Sequence, residues 1–203
     1  SDLMNDTAEN ARKVTLHNGV TMPTLAFGCA FGDWVGATEF QGFLPEQAWP
    51  AVSLALDNGY RAFDGARAYG TERIVGTLLG QRFASGELTR DELFITTKLA
   101  HPAAPPHINI SHRRTWDADK VDDIAQKVRD DMVDTLDDLG LGYVDLLLMH
   151  WPGGFGRHTS RDPDFPRKAR ATIWSAFCGL ADKGAARAIG VSNFTITHLR
   201  QLM

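Results

Sequence analysis

Two hydrophobic rhythms alternate along this chain. Short, nearly continuous apolar runs occupy 24–28, 61–64, 93–98, 143–150 and 186–192. A run without in–out alternation is expected of a strand buried on both faces, as in a parallel sheet. Between the runs, apolar residues recur at steps of three and four. Ile74, Val75, Leu78 and Leu79 form one set, Val121, Ile124, Val128, Met132, Leu136 and Leu139 a second, and Ile173, Trp174, Phe177, Leu180 and Ala181 a third. That spacing lays an apolar stripe along one side of a helix. Gly59, Gly80, Gly140 and Gly184 stand where the helices are expected to end, in the left-handed cap position that glycine favours. Ahead of the first unit, Val14-Thr15-Leu16 and Val20-Thr21-Met22 flank Asn18-Gly19, the pair best suited to a type I′ hairpin turn.

The strand ends fall at 28, 64, 98, 150 and 192, at intervals of 36, 34, 52 and 42 residues, the rhythm of consecutive βα units. Two architectures are built from such units. A doubly wound dinucleotide-binding sheet places G-x-G-x-x-G directly after its first strand. Here that position reads Gly28-Cys29-Ala30-Phe31-Gly32, and Gly140-Leu141-Gly142 precedes a strand and reads as a turn. No P-loop is present. The expectation is a single domain over 1–203: an α/β chain carrying an N-terminal β-hairpin and the first five units of a (β/α)8 barrel. A full barrel needs about 250 residues, so further strands are expected outside this chain. The long stretch 99–120, with His101, His107 and His112, is expected to overhang the active face.

Composition narrows the partners. The formal net charge is -4, and 23% of residues are charged. That balance offers no basic footprint for nucleic acid or an anionic membrane. No apolar stretch approaches the roughly 20 residues of a membrane span. The first thirteen residues are polar, with no signal-peptide run. Cys29 and Cys178 are the only cysteines and make no metal spacing, so two free thiols in a reducing, cytoplasmic setting are expected. The histidines at 101, 107 and 112 have no helical or strand pairing, and no metal site is expected.

The chemistry gathers at the strand ends. Asp64, Lys98, His150 and Ser192 each finish an apolar run, and Tyr69 lies in the loop after Asp64. Taken singly, Asp64, Lys98, His150 and Tyr69 are a helix cap, a surface charge, a structural histidine and a turn aromatic. Taken together, they sit where catalytic residues of a β/α barrel converge. A phenol ordinarily titrates near 10, and an adjacent ammonium stabilises its phenolate. A carboxylate would hold that lysine in place, and a histidine could hydrogen-bond a substrate carbonyl. Hydride would have to come from a cofactor, since no side chain donates it. Trp34 and Trp151 are candidates to line a substrate pocket.

The run Gly59-Tyr60-Arg61-Ala62-Phe63-Asp64 through Ala68-Tyr69-Gly70-Thr71-Glu72 to Val75-Gly76 resembles the aldo-keto reductase signature. Leu147-Leu148-Met149-His150-Trp151-Pro152 and Ile189-Gly190-Val191-Ser192-Asn193-Phe194 resemble two further motifs of that family, in family order. The resemblance implies an NADPH-dependent reductase of aldehydes or ketones. Tyr69 would be its general acid, Lys98 and Asp64 would tune that acid, and His150 would position the carbonyl. It also implies that Asp64, Ser192 and Asn193 contact the cofactor, the last two at the nicotinamide carboxamide. The preference for NADP(H) comes from the family alone, as the residues gripping the 2′-phosphate would lie beyond Met203. This chain departs from the family at Gly65, where Thr or Ser is usual, and at Cys29, where threonine is common. The partner expected is a small carbonyl compound. The protein would be a monomer if full-length and prone to self-association if truncated. The alternatives are a non-catalytic nucleotide-binding subunit of the same fold and an inactive truncated reductase.

Overall fold

A computed structural model of the chain describes residues 12–35, 39–99, 121–153 and 162–203. Strands β1 (Lys13–Thr15) and β2 (Thr21–Pro23) form the antiparallel N-terminal hairpin. Its turn differs from the type I′ expectation. Only Gly19 has positive φ (85°), and the Leu16 carbonyl accepts from Gly19 N–H while Leu16 N–H donates to Val20 O. A three-residue loop closed by one left-handed glycine therefore replaces the two-residue mirror turn. Asn18 instead uses its side chain, donating from Nδ2 to the Arg187 carbonyl at 2.9 Å and tying the hairpin to the last strand.

Five strands build one parallel sheet: β3 (Phe27–Gly28), then β6 (Ala62–Asp64), β7 (Phe94–Leu99), β8 (Val144–Met149) and β9 (Ala186–Val191). A second antiparallel hairpin, β4 (Gly32–Val35) and β5 (Glu39–Phe43), lies between β3 and β6 in sequence. The segment carrying Trp34 is therefore a strand. Helices α1 (Ala48–Asp57), α2 (Glu72–Ala84), α3 (Val121–Leu139) and α4 (Phe165–Asp182) connect successive strands, and α5 (Ile196–Arg200) follows β9. Spatial order equals chain order from β3 to β9, with no reversal. A doubly wound sheet reverses its order at a switch point; an arc of a β/α barrel does not. All six residues of β7 are buried, as its unbroken apolar run requires. The first strand is shorter than its apolar run because only Phe27 and Gly28 find partners, Phe63 and Asp64.

The core lies between this sheet and the inner stripes of the helices. Val75, Leu78 and Leu79 from α2, Ile124, Val128 and Met132 from α3, and Ile173 and Phe177 from α4 pack on Phe63, Ile95, Leu147 and Met149. Three of the four expected glycine caps have positive φ: Gly59, Gly140 and Gly184. Gly80 does not. It lies inside α2, whose stripe continues to Phe83, and the left-handed residue is Gly86. Likewise α4 starts at Phe165, eight residues before its readable stripe, with buried Phe165 and Ala169 extending that stripe by one turn each. Arg187, exposed on β9, pairs with the fully buried Asp145, which also binds Arg90 and the Ile95 N–H. The segment 100–120, with its histidines, lies outside the described residues.

Candidate active site

In a parallel sheet every strand ends at the same face, and the polar residues expected there do gather. Asp64 is the last residue of β6 and Lys98 the next to last of β7. His150 follows β8, Ser192 and Asn193 follow β9, and Tyr69 closes a 3-10 turn over Arg67–Tyr69, which Gly70 caps at φ 70°. The register places Asp64 level with Thr96, so Lys98 stands two residues above it on the same side of the neighbouring strand.

Lys98 is 5% exposed. Its Nζ donates to Asp64 Oδ1 at 2.6 Å and to the Gly65 carbonyl at 2.8 Å, which satisfies a charge that would otherwise be costly to bury. The same ammonium stands 5.2 Å from the centroid of the Tyr69 ring. His150 meets Tyr69 edge to face, with centroids 5.6 Å apart and planes at 84°. Phe43 of β5, which the sequence did not single out, backs Tyr69 at 5.3 Å. Trp151 lies beside His150, its ring 6.2 Å away and tilted by 32°. Trp34 has its backbone in β4, and its side chain lies outside the described residues.

Burial, reinforced by the positive Lys98, pulls His150 down from 6.5 to about 4, so the imidazole is neutral near pH 7. Its Nδ1 is buried without a hydrogen-bond partner among the described residues. A group so placed forgoes about 1–3 kcal/mol. Asn193 is the single non-glycine residue with positive φ among those described (63°). Its Nδ2 donates to the His150 carbonyl at 2.8 Å and to Ser192 Oγ at 3.1 Å, so the ends of β8 and β9 are stitched together. Cys29 lies beneath the site, 1% exposed, its thiol pushed up to about 12 by burial and then by Asp64. It behaves as an inert core residue. Beside it a cavity of about 20 Å³ is lined by Gly65, Thr71, Glu72, Thr96 and Thr97.

A second tier of buried polar residues carries no mark in the sequence. Arg67, Glu72, Thr97 and Thr135 are bonded to one another directly behind Tyr69 and Lys98. An acidic residue opening a helix reads as a favourable first-turn charge, and nothing in the string marks Glu72 as buried. Arg170, from α4, donates to the Pro152 carbonyl at 2.7 Å and to Gln201, bracing the loop that carries His150 and Trp151. No helix is long and apolar enough to cross a membrane, and no group of three or more His, Cys, Asp or Glu is placed to hold a metal, both among the described residues.

This arrangement has counterparts among known proteins. The chain is 36% identical over 201 residues to aldo-keto reductase family 1 member A1-A of Danio rerio, covering 94% of this chain and 52% of that protein. It is 28% identical over 211 residues to aldose reductase C of Dictyostelium discoideum, covering 98% of this chain and 57% of that protein. The chain thus spans about half the length of these relatives. Among solved structures, an aldo-keto reductase complexed with NADPH superposes with a TM-score of 0.69 at 31% identity, over 95% of this chain and 51% of that one. A Bombyx mori aldo-keto reductase in complex with NADP gives 0.68 at 28% identity, over 95% and 53%. The model of the aldo/keto reductase family matches residues 5–203. On its fold, its site and this match, the chain belongs to the aldo/keto reductase family.

Proposed function

We propose that this chain carries the catalytic half of an NADPH-dependent carbonyl reductase, with Tyr69 as the general acid. The observation behind the reading is the placement of Lys98: one buried ammonium bonded to Asp64 and facing the Tyr69 ring, with a neutral His150 at right angles to that ring. Asp64 keeps Lys98 charged and fixed, and the nearby positive charge favours departure of the phenolic proton. Neutral His150 serves as a hydrogen-bond donor to the substrate oxygen, orienting it for protonation by Tyr69.

The residues fit a nicotinamide cofactor, which when bound supplies the hydride. Both Nδ2 protons of Asn193 are engaged, which leaves Oδ1 to accept from a carboxamide N–H, and the Ser192 hydroxyl is free to rotate toward a carboxamide oxygen. Trp151, beside His150, would form a wall that receives the carbonyl compound. The small aldehyde 4-nitrobenzaldehyde, added with NADPH, tests the proposal. One molecule of alcohol should form for each NADPH consumed. Nucleotide binding without any alcohol would overturn it in favour of a non-catalytic binding subunit.

A further inference from the structure

The mechanism above leaves unused the polar cluster behind it. Arg67 is 7% exposed and stands two residues before Tyr69 in the same 3-10 turn. Its guanidinium reaches Asp134 Oδ2 at 2.9 Å, Asp131 Oδ1 and Thr135 Oγ1 at 3.4 Å, and Glu72 Oε2 at 3.8 Å. Glu72, 5% exposed, accepts from Thr97 Oγ1 at 2.6 Å on one oxygen and from Thr135 Oγ1 at 3.2 Å on the other. Thr97 is the residue before Lys98. A continuous set of bonds therefore runs from the turn bearing Tyr69, through Arg67 and Glu72, to the strand bearing Lys98, braced from α3 by Asp131, Asp134 and Thr135.

Stability is a weak explanation for such a set. Taking charges out of water costs about as much as their attraction returns, and burial here pushes the Glu72 carboxyl up to about 7. Geometry is the stronger explanation. A planar guanidinium with several donors fixes direction as well as distance, and Arg67 is separated from Tyr69 by one residue. Misplacing a reacting group by ~1 Å can cost ~10²-fold in rate. We propose that the Arg67–Glu72 pair, with Thr97 and Thr135, is a positioning device that sets the Tyr69 ring against the Lys98 ammonium and the His150 imidazole. The proposal rests on the carbonyl-reduction reading of this site. Neither residue touches substrate; each acts through Tyr69 and Lys98.

The test compares Glu72→Gln, Arg67→Met and the double variant with the unaltered chain, each checked for folding by circular dichroism. Two readouts are taken: steady-state reduction of 4-nitrobenzaldehyde by NADPH, and the NMR resonances of the His150 ring, assigned through a His150→Gln variant. His150 reports position without turnover because its ring meets Tyr69 edge to face. The expected result is a fall in kcat of roughly tenfold or more, with KM for NADPH within about twofold and the His150 resonances displaced. The double variant should lose no more than the worse single, as residues acting as a unit do. If Arg67→Met fails to fold, Glu72→Gln decides alone, since it keeps an acceptor for Thr97. Unmoved His150 resonances in a folded variant overturn the proposal whatever the activity does. If the unaltered chain reduces no aldehyde, the functional reading fails separately, and the resonances still decide the positioning.

Discussion

Two buried ionisable residues give the site opposite responses to pH. His150 titrates at about 4 in the fold against an ordinary 6.5, so the folded chain binds fewer protons than the unfolded one between those values. The stability this contributes is complete above pH 6.5 and is lost as pH falls through about 4. Glu72, raised from 4.5 to about 7, contributes stability that is complete below pH 4.5 and lost as pH rises through about 7. In urea titrations, His150→Gln should therefore lack part of the native chain's acid sensitivity. The stability gap between the two proteins should narrow by up to about 3 kcal/mol between pH 7 and pH 4. For Glu72→Gln the gap relative to native should shift the other way, with native losing its advantage as pH rises from 4.5 to 7.5. Parallel curves would remove these two residues as the source. Gly65 offers a simpler check. Its φ is not in the left-handed region, and an added Cβ would meet only the Thr96 carbonyl at 3.5 Å, an ordinary contact beside the small cavity. Gly65→Ala should leave the melting temperature unchanged or raise stability by about 0.4–1 kcal/mol; a clear loss would show that the glycine is required there.

Among the elements, α2 and α3 approach each other closely at Gly76. A Cβ on Gly76 would overlap the Asp138 carbonyl and lie 2.6 Å from Leu139 Cα, all backbone atoms that cannot swing aside. Gly76→Ala should therefore cost about 1–3 kcal/mol, read as a fall of several degrees in Tm, with the Arg73–Asp138 surface pair unable to compensate. An unchanged Tm would mean that these helices pack more loosely than described. Much at this scale was legible in the string. The apolar runs ending on Asp64, Lys98, His150 and Ser192 located strand ends to within about one residue, because a strand buried on both faces announces itself by composition. Gly80 misled, since a glycine inside an exposed helix face costs only about 1 kcal/mol and the stripe continued past it. The Arg67–Glu72 cluster was not legible at all. Its members lie on four separate segments, and charged residues advertise solvent, not burial.

At the scale of the molecule, the five parallel strands run β3 to β9 in order, and both ends of that row are sheet edges among the described residues. Asn18 covers one carbonyl of β9, yet Ile196 and Leu199 stay exposed just after that strand. Open edges and apolar patches invite association. The 203-residue polypeptide, studied alone by light scattering, is therefore expected to self-associate; a monodisperse 22.3 kDa species would contradict this. The catalytic role proposed for Asp64, Tyr69, Lys98 and His150 depends less on what lies at those edges, because these residues come from the interior units β6 to β8 and are bonded or packed among themselves. Tyr69→Phe tests it most directly, since the change deletes one hydroxyl and leaves the ring against Lys98, Phe43 and His150. The measurement is kcat for aldehyde reduction beside NADPH affinity in the same preparation. A kcat loss of ~10²-fold or more is expected on removing a general acid, with affinity essentially unchanged. A variant that keeps kcat within tenfold of the native chain would contradict the role given to Tyr69.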